Sequence, residues 1–222
     1  MDRYKDYNSV TLSGLIKEDL EFVTEFKGTK IYKTTLGIFR LSGVEDILPI
    51  YISDRLEDFS KLSKGLYLKI SGSMRSSQYR VGNKKRTRVY VYVKDIIEYF
   101  DDVPDDWYIN EVELEGRLFK KPQLRKSKTD IVKIKNSNKK EKADLAEVIL
   151  EVYRGYDKYD HIPLIVWGTD AKYISEFERG EKIAISGRFQ SRYFIRHVKG
   201  SDDELEHSIA YEVSVRNIEV LN

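Results

Sequence analysis

The stretch RGEKIAISGRFQSRYF, Arg179–Phe194, repeats the layout of KGLYLKISGSMRSSQY, Lys64–Tyr79. Each opens on a cation and a glycine, carries Ile-Ser-Gly at the same spacing, and closes on an aromatic residue. Three further blocks recur around this pair in the same order. NSVTLSGLI (Asn8–Ile16) matches NEVELEGRL (Asn110–Leu118). ILPIYI (Ile47–Ile52) matches HIPLIV (His161–Val166), and YVYVKDIIEY (Tyr90–Tyr99) matches EVSVRNIEVL (Glu212–Leu221). One such match between short strands could be chance, but matches in register along the whole chain mark a duplication.

Each copy predicts the same elements. Val112, Leu114, Gly116 and Leu118 alternate with Glu113, Glu115 and Arg117, which is the period of a strand. Ala146, Val148, Leu150 and Val152 alternate with Glu147 and Glu151 in a second strand, and Ile162–Trp167 is a short apolar third. Thr169 or Asp170 is placed to cap a helix on which Ala171, Ile174 and Phe177 share one face. Ile183, Ile185, Gly187 and Phe189 form a fourth strand, Val213 and Val215 a fifth. The first copy follows the same plan, with Asp54–Phe59 as its helix. Five strands with a helix between the third and fourth define the OB-fold, a Greek-key barrel. The expected fold is thus mainly β, with two tandem OB barrels: residues 1–100, an acidic linker 101–106 (DDVPDD), and residues 107–222.

Composition narrows the class further. With 222 residues, 41% hydrophobic and 34% charged, the chain can bury two cores. It contains no apolar run of membrane-spanning length, and MDRYKDYNSV lacks the apolar segment of a secretory signal. There is no cysteine, which excludes disulfides and thiol chemistry and fits a cytoplasmic protein. His161, His197 and His207 lack ligand spacing, so no metal is expected. No phosphate-cradling glycine loop and no marked nucleophile–base pair occurs, so neither a cofactor nor catalysis is expected.

The net charge of +2 conceals a concentration of cations. Arg117–Lys142 holds eleven Lys and Arg against Asp130 and Glu141, and KKRTR spans Lys84–Arg88. The first run falls between the first and second strands of the second barrel, the second between the fourth and fifth strands of the first. In OB-folds those two loops flank the oligonucleotide-binding face. Single-strand binding requires cations along the phosphates and aromatic planes for the bases. Candidate cations are Lys120, Lys121, Arg125, Lys126, Lys128, Lys84, Lys85, Arg86, Arg188 and Arg192; Arg196 continues the alternation of the last two. Candidate planes are Tyr79, Tyr193, Phe194 and Trp167, with Phe119 beside the long basic run. Trp167 falls on the strand face opposite Leu164 and Val166, so it is not expected in the barrel core.

The segment IPLIVWGTDAKYISEFERGEKIAISGRFQSRYF, Ile162–Phe194, resembles the bacterial-type single-stranded DNA-binding protein family. Trp167-Gly168 stands where that family ends its third strand in an aromatic and a glycine. Phe194 stands at the aromatic beyond its Arg-rich segment. The resemblance implies that Trp167 and Phe194 stack bases. It is strong over Asn110–Asn222 and weaker over Asn8–Tyr99, where Ser53 falls near the position of Trp167 and Tyr79 corresponds to Phe194. It also implies four barrels per assembly, hence a homodimer. The family's acidic recruiting tail has no counterpart after RNIEVLN, so recruitment through such a tail is not expected.

The expectation is therefore non-catalytic, largely sequence-independent binding of single-stranded DNA in replication, recombination or repair. The setting would be a bacterial nucleoid, a phage or a plasmid, with replication or repair proteins as partners and no membrane. Two other readings compete: a primosome-type OB protein acting mainly as an interaction module, and an RNA-binding OB protein.

Overall fold

Strand alternation sets the architecture of the computed structural model, which describes residues 5–56, 59–82, 84–102, 108–133, 140–197 and 205–221. For residues 81, 84, 128–133, 140–141, 194–197 and 205–207 it describes the backbone alone. Among the described residues twelve strands run in chain order: β1 (Asn8–Ile16), β2 (Glu21–Phe26), β3 (Thr29–Phe39), β4 (Glu45–Ser53), β5 (Tyr67–Val81), β6 (Lys84–Phe100), β7 (Asn110–Leu118), β8 (Gln123–Lys133), β9 (Lys140–Gly155), β10 (Lys158–Trp167), β11 (Lys182–His197) and β12 (Leu205–Leu221). Among the described residues, one α-helix, α1 (Gly168–Ser175), follows β10.

The two repeats close in the same way. In the first, the order is β3-β4-β6-β5-β1, and β1 returns to β3 with Leu15 opposite Gly37. In the second, the order is β9-β10-β12-β11-β7, and β7 returns to β9 with Leu118 opposite Leu150. The one parallel contact in each barrel, β4 with β6 and β10 with β12, is the Greek-key crossing. These are five-stranded OB barrels, as the duplicated pattern predicts. Leu12, Ile16, Leu36, Ile50, Ile70 and Val91 fill the first core; Leu114, Val148, Leu150, Leu164, Val166 and Ile185 fill the second. Burying each such side chain stabilises the fold by roughly 1.5–3 kcal/mol.

Closing a barrel this small forces backbones together. A Cβ on Gly187 would lie 2.4 Å from the Ser214 carbonyl oxygen, and one on Gly72 would lie 2.5 Å from that of Tyr92. Both Ile-Ser-Gly motifs thus place glycine where two strands nearly touch. The ladder between β5 and β6 also shifts register at Ser71/Gly72, and such a bulge bends the strand.

Three details depart from expectation. The long basic run is not simply a loop: β8 pairs antiparallel with β9 and forms an arm beside the barrel, and β2 is its counterpart beside β3. KKRTR likewise lies within β6, paired to the end of β5. Alternating polar and β-branched residues in both runs suit a two-stranded ribbon better than open coil. The helices also differ. After β10, α1 begins at Gly168 with Trp167 at its N-cap and no side-chain cap, and Asp170 lies in the first turn, where the helix dipole favours an acid. After β4, Ser53 Oγ accepts the Arg55 N–H (3.2 Å) and the chain turns; among the described residues the helical stretch there is a 3₁₀ turn, Phe59–Lys61.

The compact units are interlaced along the sequence. One, the C-barrel unit, comprises Met1–Asn8, Val112–Arg188 and Val213–Asn222; the other, the N-barrel unit, comprises Ser9–Glu111 and Phe189–Glu212. Residues before β1 join the C-barrel by backbone bonding: Asp6 exchanges its N–H and carboxylate with Tyr153 (2.9 and 2.8 Å), and the Tyr7 carbonyl accepts from Glu115 (2.8 Å). The outer half of the β11–β12 hairpin joins the N-barrel. Within the linker, Asp101 and Asp102 are exposed, and residues 103–107 lie outside the described residues.

Candidate nucleic-acid interface

In the C-barrel unit the site begins with register. Trp167 on β10 stands opposite Leu145 on β9, which stands opposite Arg125 on β8. Opposed residues of an antiparallel ladder point to the same side. Ala146, Val148 and Leu150 face the interior with Val166, Leu164 and Ile162, so this row lies on the barrel's outer face. Trp167 is half-buried and Arg125 exposed, while Leu145 beneath them is buried. Ile165 shares the face but is itself buried, so strict alternation does not hold along β10.

The cations around Trp167 are held by acids. Arg125 pairs with Glu147, and Lys121 with Glu178. Asp144 receives Lys126 of β8 (2.7 Å) and Lys172 of α1 (3.3 Å), and the hydrogen bond from Lys126 leads the causes that hold its pKa below the ordinary value. Lys126 points to the face opposite Arg125, since Asp144 and Leu145 alternate. Lys120 is exposed and has no described partner. Such exposed pairs stabilise little and exchange readily with other anions. At the far end of the same outer face, His161 meets Phe119 edge-on (centroids 4.5 Å apart), with Glu151 at 3.3 Å.

In the N-barrel unit a different set converges. Tyr51 of β4 and Tyr90 of β6 stack with centroids 4.0 Å apart and planes inclined by 32°. The Arg88 guanidinium lies 4.9 Å from the centre of the Tyr79 ring and donates to the Tyr51 hydroxyl (3.3 Å). Tyr79 and Arg88 are exposed, Tyr90 is half-buried and Tyr51 is buried. Lys85 is exposed, and half-buried Arg86 stands opposite Tyr79 in the ladder.

The outer half of the β11–β12 hairpin belongs to this unit. Arg192 forms a two-pronged bond to Glu212 (3.1 and 3.2 Å), which also accepts from Gln190 (3.0 Å), and Tyr193 is 64% exposed. Asp46, 1% exposed, anchors the hairpin: it accepts the Ser191 N–H (2.8 Å) and two guanidinium donors of Arg40 (2.7 Å each). Asn110 pins Phe189 by accepting its N–H (2.8 Å) and donating to its carbonyl (2.7 Å).

The expected residues therefore fall into two groups. Trp167, Lys120, Lys121, Arg125, Lys126 and half-buried Arg188 belong to the C-barrel unit; Tyr79, Lys84, Lys85, Arg86, Arg192, Tyr193 and Phe194 belong to the N-barrel unit. The side chains of Lys84, Lys128, Phe194 and Arg196 lie outside the described residues. The sequence reading passed over Tyr51, Tyr90, Arg88, Arg40 and Asp46. Tyr51 could have been found: it shares a strand face with Ser53, two residues on, and follows Pro49 as Ile165 follows Pro163. Among the described residues, no group of three or more acids and histidines is arranged to hold a metal. Among the same residues, no helix is long and apolar enough to cross a membrane.

Two OB barrels on one chain define the class: a tandem OB-fold protein. Its fold is that of the single-stranded DNA-binding protein type, as the resemblance of Ile162–Phe194 implied. The wild-type single-stranded DNA-binding protein from Thermus aquaticus superposes with a TM-score of 0.70 at 18% identity, over 99% of this chain and 95% of that one. A deletion mutant of that protein gives 0.70 at 17% identity, over 98% and 96%. The N-terminal domain of PriB from Thermoanaerobacter tencongensis is 37% identical over 44% of this chain and 98% of that one, with a TM-score of 0.37. No protein-family model and no curated protein matches the sequence.

Proposed function

We propose that this protein binds single-stranded DNA without catalysing a reaction on it. One observation carries the reading: Trp167 and Arg125 stand in one cross-strand row on the outer face of the C-barrel, an indole beside a guanidinium. A base can stack on the first while its phosphate meets the second, a combination that serves any sequence because every base has a π-face. Lys120 and Lys121 then attract the backbone, with Lys121 exchanging Glu178 for a phosphate. The fold shared with the Thermus aquaticus single-stranded DNA-binding protein supports the assignment. A role in replication or repair and assembly as a homodimer extend the same reading, and sedimentation equilibrium tests the latter.

The experiment is a fluorescence titration with poly-dT at two salt concentrations in a Trp107→Phe background, which leaves Trp167 as the reporter. The expected result is quenching that saturates at a defined stoichiometry and weakens steeply with salt. Unquenched fluorescence and an unchanged sedimentation rate in excess poly-dT would refute the proposal. Matched RNA in place of DNA, bound at least as tightly, would redirect it to RNA.

A further inference from the structure

The contact proposed for Trp167 and Arg125 leaves Lys126 and Lys172 unused, yet one carboxylate holds both. Register brings them together. Trp167, Leu145 and Arg125 form a row across β10, β9 and β8, and it is the last row that β10 reaches, because the strand ends there. In the next row Lys126 stands opposite Asp144, but Gly168 has already turned the chain into α1 with a φ of 66°. A side chain takes the third place. Lys172, in the last turn of α1, reaches Asp144 at 3.3 Å, and Lys126 reaches it at 2.7 Å.

The surroundings give this carboxylate leverage. α1 packs against both β8 and β9, and Ala171 of α1, Ser127 of β8 and Ala143 of β9 are all buried. The Asp144 side chain is 16% exposed, against 52% for Lys126 and 63% for Lys172. An isolated ion pair on a surface contributes little, but a shielded acid shared by two cations is a network. Past Lys126 the ladder between β8 and β9 loses register, so backbone pairing holds the arm less firmly there. The first repeat closes the same junction with backbone groups. Ile31 opposite Ser53 corresponds to Leu145 opposite Trp167. In the row after it, the Lys30 N–H donates to the Asp54 carboxylate and the Asp54 N–H to the Lys30 carbonyl (3.0 Å each).

We propose that Asp144 is a positioning residue for single-strand binding. It grips β8 through Lys126, the neighbour of Arg125, and α1 through Lys172, one turn beyond Trp167. It thereby fixes the spacing between the guanidinium and the indole. A base and its phosphate lie a set distance apart, so two groups serve one nucleotide only when their own spacing is held. Asp144 touches no strand itself. This inference rests on the proposal that Trp167 and Arg125 bind the strand together.

The test is a double-mutant cycle, read by anisotropy with a labelled oligothymidylate of roughly 8 nucleotides, within the ~4–16 that one OB barrel covers. In the native chain, Arg125→Ala and Trp167→Ala combined should cost about 5-fold less affinity than the product of their separate effects. In an Asp144→Asn background that coupling should disappear, the two effects simply multiplying, and Asp144→Asn alone should weaken binding ~5-fold. The sign is informative. Removing a negative charge beside two lysines would by electrostatics alone tighten the binding of a polyanion. Lys172→Ala, at an exposed helix position, should abolish the coupling likewise, and it decides the matter should Asp144→Asn not fold. Coupling that survives both substitutions, or tighter binding by Asp144→Asn, overturns the positioning role and leaves the contact of Trp167 and Arg125 standing. Binding without coupling in the native chain overturns the positioning role together with the shared nucleotide. Absence of any binding overturns the reading of the protein as a single-strand binder, and this inference with it.

Discussion

Trp167 closes β10 and opens α1, and this double position gives it its exposure. At the N-cap its ring is half-buried, supported by buried Leu145 across the ladder. Trp167→Ala is expected to weaken single-strand binding by about 1–3 kcal/mol, the worth of one stacked base, with little change in thermal midpoint. Titration by anisotropy with a labelled oligomer checks it, together with a melting curve.

Tyr211 offers a test of a different kind. Burial, aided by Tyr193 and Glu18, raises its pKa above 10.0. The unfolded chain therefore loses this proton first as pH rises. Between the two values the folded state binds more protons, so the contribution is complete below pH 10.0 and is lost as pH rises through the folded pKa. Tyr211→Phe should reduce the loss of stability between about pH 8 and about pH 11, measured by urea midpoints.

Among the elements, the five strands of each barrel and their order were legible from alternation, because one face of each strand is sealed in a core. The arms were not. β2 is exposed along its whole length and β8 along most of its described residues, so no buried face imprinted a period on them. Asp54–Phe59 has the composition of a helix, but at its described start a hydrogen bond from the Arg55 N–H to Ser53 Oγ turns the chain. Ile-Ser-Gly was noticed as a bend; its stricter requirement, the absence of a side chain between two backbones, appears only once the strands are paired. Gly187→Ala would drive its methyl into the Ser214 carbonyl and should cost on the order of 3 kcal/mol, read from denaturant unfolding. Gly43→Ala, where a Cβ would meet nothing but the φ is +82°, serves as the comparison and should cost roughly 1–2 kcal/mol from backbone strain without a clash.

Across the molecule, the candidate site was legible in kind and not in arrangement. Basic runs and aromatics could be picked out along the chain; which of them share a face could not. The resemblance names Trp167 and Phe194 together, and the boundary between units, at Arg188 and Phe189, falls between them. Nothing in a local pattern reveals that one hairpin is shared between units, since the bonds that do it, Asp46 to Ser191 and Asn110 to Phe189, link residues far apart in the chain. Binding itself should depend strongly on ionic strength. With about four phosphate contacts on a single strand, the logarithmic slope is about −3, and a fourfold rise in salt costs roughly 50-fold in affinity. A slope near zero in the poly-dT titration would leave the arm lysines without a role.

The exchange of segments between repeats bears on how this gene can be dissected. Cutting after Asp102 would give two polypeptides that each carry off a piece of the other's fold: the leading fragment takes Asp6 and Tyr7, the trailing one takes Ser191. Neither half should behave as a well-formed module by itself. Co-expressed, they should find each other and restore a native spectrum, as split reporters do.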